Sequence, residues 1–249
     1  MFDHVTVRIA DLAAAEPVFQ SLLDQLSFDE TFSSNTFAMW NDFALTEPDD
    51  EHPLTRRAHV AFVAPAREAV DAWWEAGVAA GLRDNGPPGP RPNYSPDYYG
   101  AFLLDEQDNN YEAVHRDGHR RGGNVDHVAI RVADVAAATA FYKTAATAAG
   151  FELRSESEQR ASFTGPQGGL FSIVAGPPTE GLHIAFPGDD DAIRRFYADE
   201  VALGHRGNGE PGERPRYHPG YYAAYVLDPD GNNIEVVDHH RGVHDVSST

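Results

Sequence analysis

Tyr221-Tyr222-Ala223-Ala224-Tyr225-Val226-Leu227-Asp228-Pro229-Asp230-Gly231-Asn232-Asn233-Ile234-Glu235-Val236-Val237 reads as strand, turn, strand. Asp228, Pro229, Asp230 and Gly231 suit the four positions of a type I turn. In a strand from Asn233 to Val237, side chains alternate, so Asn233, Glu235 and Val237 share one face while Ile234 and Val236 share the other. Glu235 therefore stands mid-strand among residues that favour burial. A buried carboxylate needs a partner, and a metal ion is one. The simpler alternative is an exposed glutamate on the wet face of an antiparallel sheet.

The same pattern occurs earlier in the chain. Asn109-Asn110-Tyr111-Glu112 matches Asn232-Asn233-Ile234-Glu235, and Tyr98-Tyr99 matches Tyr221-Tyr222. Arg91-Pro92-Asn93-Tyr94 matches Arg214-Pro215-Arg216-Tyr217, and Asp3-His4-Val5-Thr6-Val7-Arg8 matches Asp126-His127-Val128-Ala129-Ile130-Arg131. The offset is 123, and 124 where His59-Val60-Ala61-Phe62 matches His183-Ile184-Ala185-Phe186. A steady offset over so long a span marks a duplication. The copies cover residues 1–118 and 124–240, joined by a polar linker at 115–124 and followed by a tail at 241–249.

Each copy divides again. His4 to Ile9 alternates as a strand, Asp11 is placed to cap a helix running to Leu26, and short strands are expected at Phe37-Trp40 and Phe43-Thr46. The order then restarts with strand His59-Val63, a helix over 66–81, a Gly/Pro loop over 84–96 and paired strands over 99–104 and 110–114. The second copy repeats it: strand over 127–132, helix over 134–149, strands over 161–164 and 170–174, strand over 183–186, helix over 192–203, loop over 207–220 and the closing hairpin. The expected fold is α+β, four βαβββ units paired into two domains.

Three polar residues recur in each copy: His4, His59 and Glu112 in the first, His127, His183 and Glu235 in the second. Parity puts His127 on one face with Ala129 and Arg131, and leaves Val128, Ile130 and Val132 for the helix side. Two neutral imidazoles and one carboxylate with open positions form a donor set suited to Fe(II), with Mn(II), Zn(II) or Ni(II) as alternatives. A lone strand histidine is more often structural, but recurrence of all three favours a divalent metal.

At these residues the chain resembles the vicinal oxygen chelate superfamily: glyoxalase I, extradiol dioxygenases, fosfomycin-resistance enzymes and bleomycin-resistance proteins. The resemblance covers nearly all of 1–118 and 124–240. It implies glyoxalase/dioxygenase-type domains, each a cup of sheet with the site inside. It also implies ligands from the first strands of successive units and from the last strand, which matches His127, His183 and Glu235. Glyoxalase-type sites usually add a fourth ligand, but Ala44 and Ser172 occupy those positions, with Asp42 and Glu47 nearby. The extradiol pattern places a histidine before an aromatic-Tyr strand, then Asp-Pro-x-Gly and the ligand glutamate. His218, Tyr225, Asp228-Pro229, Gly231 and Glu235 follow that order, although Ala224 and Arg216 depart from it. The resemblance thus implies His218 as acid/base and Tyr225 as a hydrogen-bond donor to substrate. In the first copy Ser95 replaces His218 and Phe102 replaces Tyr225. An extradiol-type dioxygenase acting on a small substrate with vicinal oxygens is the leading expectation. A glyoxalase-like lyase or isomerase, or a metal-free small-molecule binder like the bleomycin-resistance branch, are the alternatives.

Composition narrows the classes further. There are 19 basic and 39 acidic residues, a net charge of -20, no cysteine, and Lys143 is the only lysine. Disulfides and thiolate metal sites are excluded. Such a surface repels nucleic acid and anionic membrane. Neither a signal peptide nor a run of roughly 20 apolar residues is present, so a cytoplasmic location is expected. The acidic, lysine-poor balance resembles that of halophilic proteins. Pairing of two chains as a homodimer is left open.

Overall fold

A computed structural model describes residues 1–117 and 121–240. Residues 118–120 of the expected linker and the expected tail 241–249 lie outside the described residues. The chain forms four βαβββ units. The first is β1 (His4–Arg8), α1 (Leu12–Asp24), β2 (Phe32–Ser34), β3 (Phe37–Trp40) and β4 (Phe43–Thr46). The second is β5 (His59–Val63), α2 (Arg67–Ala79), β6 (Arg83–Pro90), β7 (Tyr99–Leu104) and β8 (Asn110–His115). The third is β9 (Val125–Val132), α3 (Val135–Ala149), β10 (Glu152–Glu156), β11 (Arg160–Thr164) and β12 (Leu170–Ala175). The fourth is β13 (His183–Pro187), α4 (Asp190–Ala202), β14 (Gly207–Glu213), β15 (Tyr222–Leu227) and β16 (Asn233–Asp238).

Local chemistry sets the helix starts. Asp11, Asp134 and Asp189 are extended N-caps whose carboxylates accept amide hydrogen bonds from the first turns of α1, α3 and α4, satisfying donors the helix cannot. Gly150 ends α3 at φ 68°, the left-handed conformation that glycine adopts without strain. The segments 84–96 and 207–220, expected as loops, each begin with a strand. Both β6 and β14 are edge strands, and their pairing with β7 and β15 slips register twice. An edge position and bulges are where Gly and Pro are tolerated in a sheet, so composition alone concealed them.

Two eight-stranded mixed sheets result, in the orders β14-β15-β16-β13-β1-β4-β3-β2 and β10-β11-β12-β9-β5-β8-β7-β6. Each takes one unit from each half of the sequence, the first with the fourth and the second with the third. The expected halves, 1–118 and 124–240, are therefore repeats of the sequence and not the sheets of the fold. The reason is topological. Every unit leaves its first strand as an open edge that must be paired, and four similar edges do not declare which joins which. Here β1 runs antiparallel to β13, and β5 to β9. The connecting segments 47–58 and 176–182 bind one another, Arg56 and Glu180 exchanging backbone hydrogen bonds of 2.9 and 3.1 Å. Gly181 sits at φ 65° in this crossing, and a Cβ there would lie 2.5 Å from the Pro53 carbonyl.

One hydrophobic core spans both sheets. Phe43 of one sheet meets Phe62 of the other edge-on at 4.9 Å, and Phe171 meets Phe186 at 6.1 Å. Val128, Ile130 and Val132 lie in this core, as does the Ile234 and Val236 face of β16. The opposite, concave faces carry the polar residues, so each sheet presents one cup. No helix of the described residues is long and apolar enough to cross a membrane.

Candidate metal centres

β1, β13 and β16 bring His4, His183 and Glu235 together on one concave face. His183 Nε2 lies 3.1 Å from His4 Nε2 and 3.0 Å from Glu235 Oε2, and His4 Nε2 lies 3.6 Å from that oxygen. The outward ring nitrogens are engaged. His4 Nδ1 is 2.9 Å from Asp3 Oδ1, and His183 Nδ1 is 3.1 Å from the Asn233 carbonyl. The Asp3 carboxylate, an acceptor, fixes the His4 tautomer that turns the Nε2 lone pair inward, while His183 Nδ1 also has the Asn233 side-chain amide nitrogen at 3.0 Å. Tyr221 donates its hydroxyl to Glu235 Oε1 at 2.6 Å, leaving Oε2 toward the histidines.

The second cup repeats this with His59, Glu112 and His127. Here the three separations are 3.1, 3.2 and 3.3 Å. Asp126 holds His127 Nδ1 at 2.8 Å, the Asn110 amide lies 2.9 Å from His59 Nδ1, and Tyr98 donates to Glu112 Oε1 at 2.5 Å. All six residues expected as ligands thus converge, but in a different grouping. The sequence halves placed His4 and His59 with Glu112, and His127 and His183 with Glu235. The sheets instead exchange His4 and His127 between the trios, because each cup joins units from opposite halves.

Burial opposes ionisation of Glu235, but hydrogen bonds from His183 and Tyr221 and the charge of His4 hold its pKa below the usual range. Glu112 is likewise buried, and the two histidines beside it lower its pKa to about 2. Burial disfavours the charged form of His127, yet Asp126 and Glu112 outweigh this and raise its pKa to about 9. His4 is raised in the same way against burial by Asp3 and Glu235, whereas burial depresses His183 and His59. Each trio therefore pairs an ionised carboxylate with one histidine inclined to be charged and one inclined to be neutral. Ligand atoms about 2.1 Å from a shared ion stand about 3.0 Å apart at right angles and about 3.4 Å apart at the tetrahedral angle. The observed separations of 3.0–3.6 Å fit a common divalent ion in both cups.

No fourth carboxylate or histidine joins either trio among the described residues. Ser172 accepts a hydrogen bond from Arg160. Asp42 accepts the amides of Asn124 and Val125, and Glu47 accepts the amide of Leu12. A third group, Asp190, Asp238 and His240, lies half-buried at the end of β16, but Asp190 is already paired with Arg194.

The remaining expected residues lie in the Glu235 cup. Tyr225 stands directly across the strand pair from Glu235, its ring tilted 6.3 Å from that of His183. Its hydroxyl is buried without a hydrogen-bond partner. Phe102 fills the same place opposite Glu112, 6.4 Å from His59. His218 does not touch the trio. It stacks on His239, with His218 Nε2 2.8 Å from His239 Nδ1, and His239 Nε2 lies 3.0 Å from Asp3. A polar chain His218–His239–Asp3–His4 results. In the other cup Arg116 takes the place of His239 and binds Asp126 at 2.8 Å. Asp3, Asp126, Tyr98, Asn110 and Asn233 were not singled out as site residues, although each falls within a repeated motif.

Residues 124–236 match the family model of the Glyoxalase/Bleomycin resistance protein/Dioxygenase superfamily. No match was found among curated proteins. A variant of glyoxalase I from Zea mays is similar over 96% of this chain and 92% of its own, at 17% identity and a TM-score of 0.64. A putative dioxygenase from Bacillus subtilis is similar over 95% of this chain and 84% of its own, at 11% identity and a TM-score of 0.63. At such identities the likeness shows a shared fold. The family match thus covers residues 124–236, and the shared fold extends along nearly the whole chain.

Proposed function

We propose that the protein is a divalent-metal-dependent enzyme acting on a small substrate with two adjacent oxygens, and that the Glu235 cup works as an extradiol-type dioxygenase. The carrying observation is a pair of three-donor clusters, each with both Nε2 atoms and one carboxylate oxygen turned inward and no fourth protein donor among the described residues. The donor set suits Fe(II), and Mn(II), Zn(II) or Ni(II) fit the same atoms. Held by His4, His183 and Glu235, a divalent ion would supply positive charge beside the substrate and make a bound hydroxyl more acidic.

The chain's own residues do the rest. Asp3 and the Asn233 carbonyl hold the rings of His4 and His183, and Tyr221 holds Glu235. Tyr225 has a buried hydroxyl free to donate to a substrate oxygen. His218, half exposed, is the acid/base group, exchanging protons between solvent and the polar chain that begins at His239. The cup supported by His218 and Tyr225 is the principal catalytic one.

The test loads the protein anaerobically with Fe(II) and offers catechols with and without O₂. Turnover coupled to O₂ uptake is expected. Conversion of a substrate with no O₂ requirement would support a glyoxalase-like lyase or isomerase instead. Failure to retain any metal would support a metal-free binding protein.

A further inference from the structure

The ligand sets of the two cups are alike, but their walls are not. From His183 a row of paired residues runs across the concave face through Thr6 on β1, Ala44 on β4, Met39 on β3 and Phe32 on β2. From His59 the equivalent row is Ala129 on β9, Ser172 on β12, Ser162 on β11 and Ser155 on β10. Both rows face the cups, because the alternate residues Ala38, Phe43 and Leu45, and Ala161, Phe171 and Ile173, lie in the shared core. At about 4.8 Å per strand, the second and third members stand about 10 to 15 Å from the ligand histidine, within reach of the body of a small substrate. One residue further along the face, Phe37 in the Glu235 cup is matched by Arg160 in the Glu112 cup, each paired across from the strand next to it.

The contacts follow from the residues. Phe32 and Phe37 lie with ring centroids 6.3 Å apart. In the other cup Ser155 and Ser162 share a hydrogen bond of 2.6 Å, and Arg160 donates to Ser172 at 2.9 Å. Arg131 completes that wall. Among the described residues its guanidinium has no hydrogen bond or carboxylate partner, in a chain with 39 acidic residues. Its counterpart Arg8 is tied down on the Gly181 carbonyl at 2.9 Å.

Resting on the metal centres proposed above, we propose that the cups take substrates of opposite polarity: the Glu235 cup an uncharged molecule with an apolar, aromatic body, and the Glu112 cup an anionic, hydroxylated one whose carboxylate meets Arg131. Methionine and phenylalanine gain by covering an apolar ring. Serines and an unpaired guanidinium repay the lost hydration of a carboxylate and hydroxyls, which an apolar wall does not. The protein's overall charge repels anions, so a local guanidinium is the means of admitting one.

The experiment uses full-length protein loaded with Co(II) and follows its visible absorption as ligands are added. Glu112→Gln isolates the Glu235 centre and Glu235→Gln isolates the Glu112 centre. The probes are 4-methylcatechol and D-glycerate. The first is expected to bind the Glu235 centre at least about tenfold more tightly than the Glu112 centre, and the second the reverse, each tenfold step being about 1.4 kcal/mol. Arg131→Gln should abolish the glycerate preference, and Met39→Ser should weaken 4-methylcatechol. These two variants carry the test in an otherwise native chain if either ligand variant fails to fold. The same order of preference at both centres, or preferences unmoved by Arg131→Gln and Met39→Ser, would overturn the proposal while leaving the metal centres standing. Absence of any Co(II) band in the native protein would overturn both.

Discussion

Asp3 and His4 show how a centre is built from neighbouring residues on a strand. Asp3 fixes the outer nitrogen of His4, and Nε2 then faces His183 and Glu235 across the sheet. His4→Ala should halve the bound metal with the fold intact by circular dichroism, and adding Glu112→Gln should remove the rest. Were His4 a partner of Glu112, the second substitution would cost no further metal, so the double variant decides the grouping. Tyr225→Phe tests the hydroxyl that distinguishes the cups. We expect kcat to fall about 100- to 1000-fold with metal content unchanged, the usual scale for a lost transition-state hydrogen-bond donor. Unaltered kcat would remove Tyr225 from the mechanism. All six ligand candidates were legible in the sequence because recurrence and strand parity are local properties. The link from His218 to His4 was not, since His239 and Asp3 meet only in the closed sheet.

Helices and central strands were legible for the same reason. Apolar periodicity, with the capping Asp11 for α1, defines α1 and α3 within a few residues. The edge strands β6 and β14 were hidden by glycines and prolines that only an edge tolerates. A different element-level feature lies between α3 and α4. Glu200 is buried with neither carboxylate oxygen hydrogen-bonded, and His205 Nε2 is 3.5 Å away. Burial pushes its pKa up to about 7. Because this lies above the value in the unfolded chain, the folded state binds the proton more tightly. Stability from this group is fully present below the ordinary glutamate pKa and is lost as pH rises through about 7. Glu200→Gln, which cannot ionise, should therefore stabilise the protein by about 1–2 kcal/mol at pH 8 and change little near pH 5. Urea unfolding at both values, with metal present, measures this. Equal effects at the two pH values would show that the carboxylate is not held neutral by burial.

At the scale of the whole molecule, which unit pairs with which was the part the sequence did not declare, because four similar edges are interchangeable until the chain closes. The closure has a thermodynamic consequence. Both sheets share one core, with Phe43 on Phe62 and Phe171 on Phe186, so loss of either sheet exposes the other's apolar face. They should melt as one cooperative unit. Opposing that unit is a net charge of -20. Glu112, Glu235, Asp3 and Asp126 each lie beside a histidine or arginine within the cups, so the self-repulsion comes mainly from the exposed carboxylates. Mobile ions weaken this repulsion over about 10 Å at 0.1 M salt and about 3 Å at 1 M. Molar KCl should therefore raise the melting temperature well beyond its value at about 0.1 M, and keep a single transition with metal released from both cups together. Acid should not substitute for salt. Protonating surface carboxylates relieves the same repulsion, but acid also sets protons in competition with metal at the histidines and glutamates of the cups. A thermal melt from about 0.1 to about 3 M KCl at neutral pH, with metal present throughout, separates these effects. A flat or falling melting temperature would mean that the acidic surface is not a salt adaptation, and two transitions would mean that the sheets do not depend on their common core.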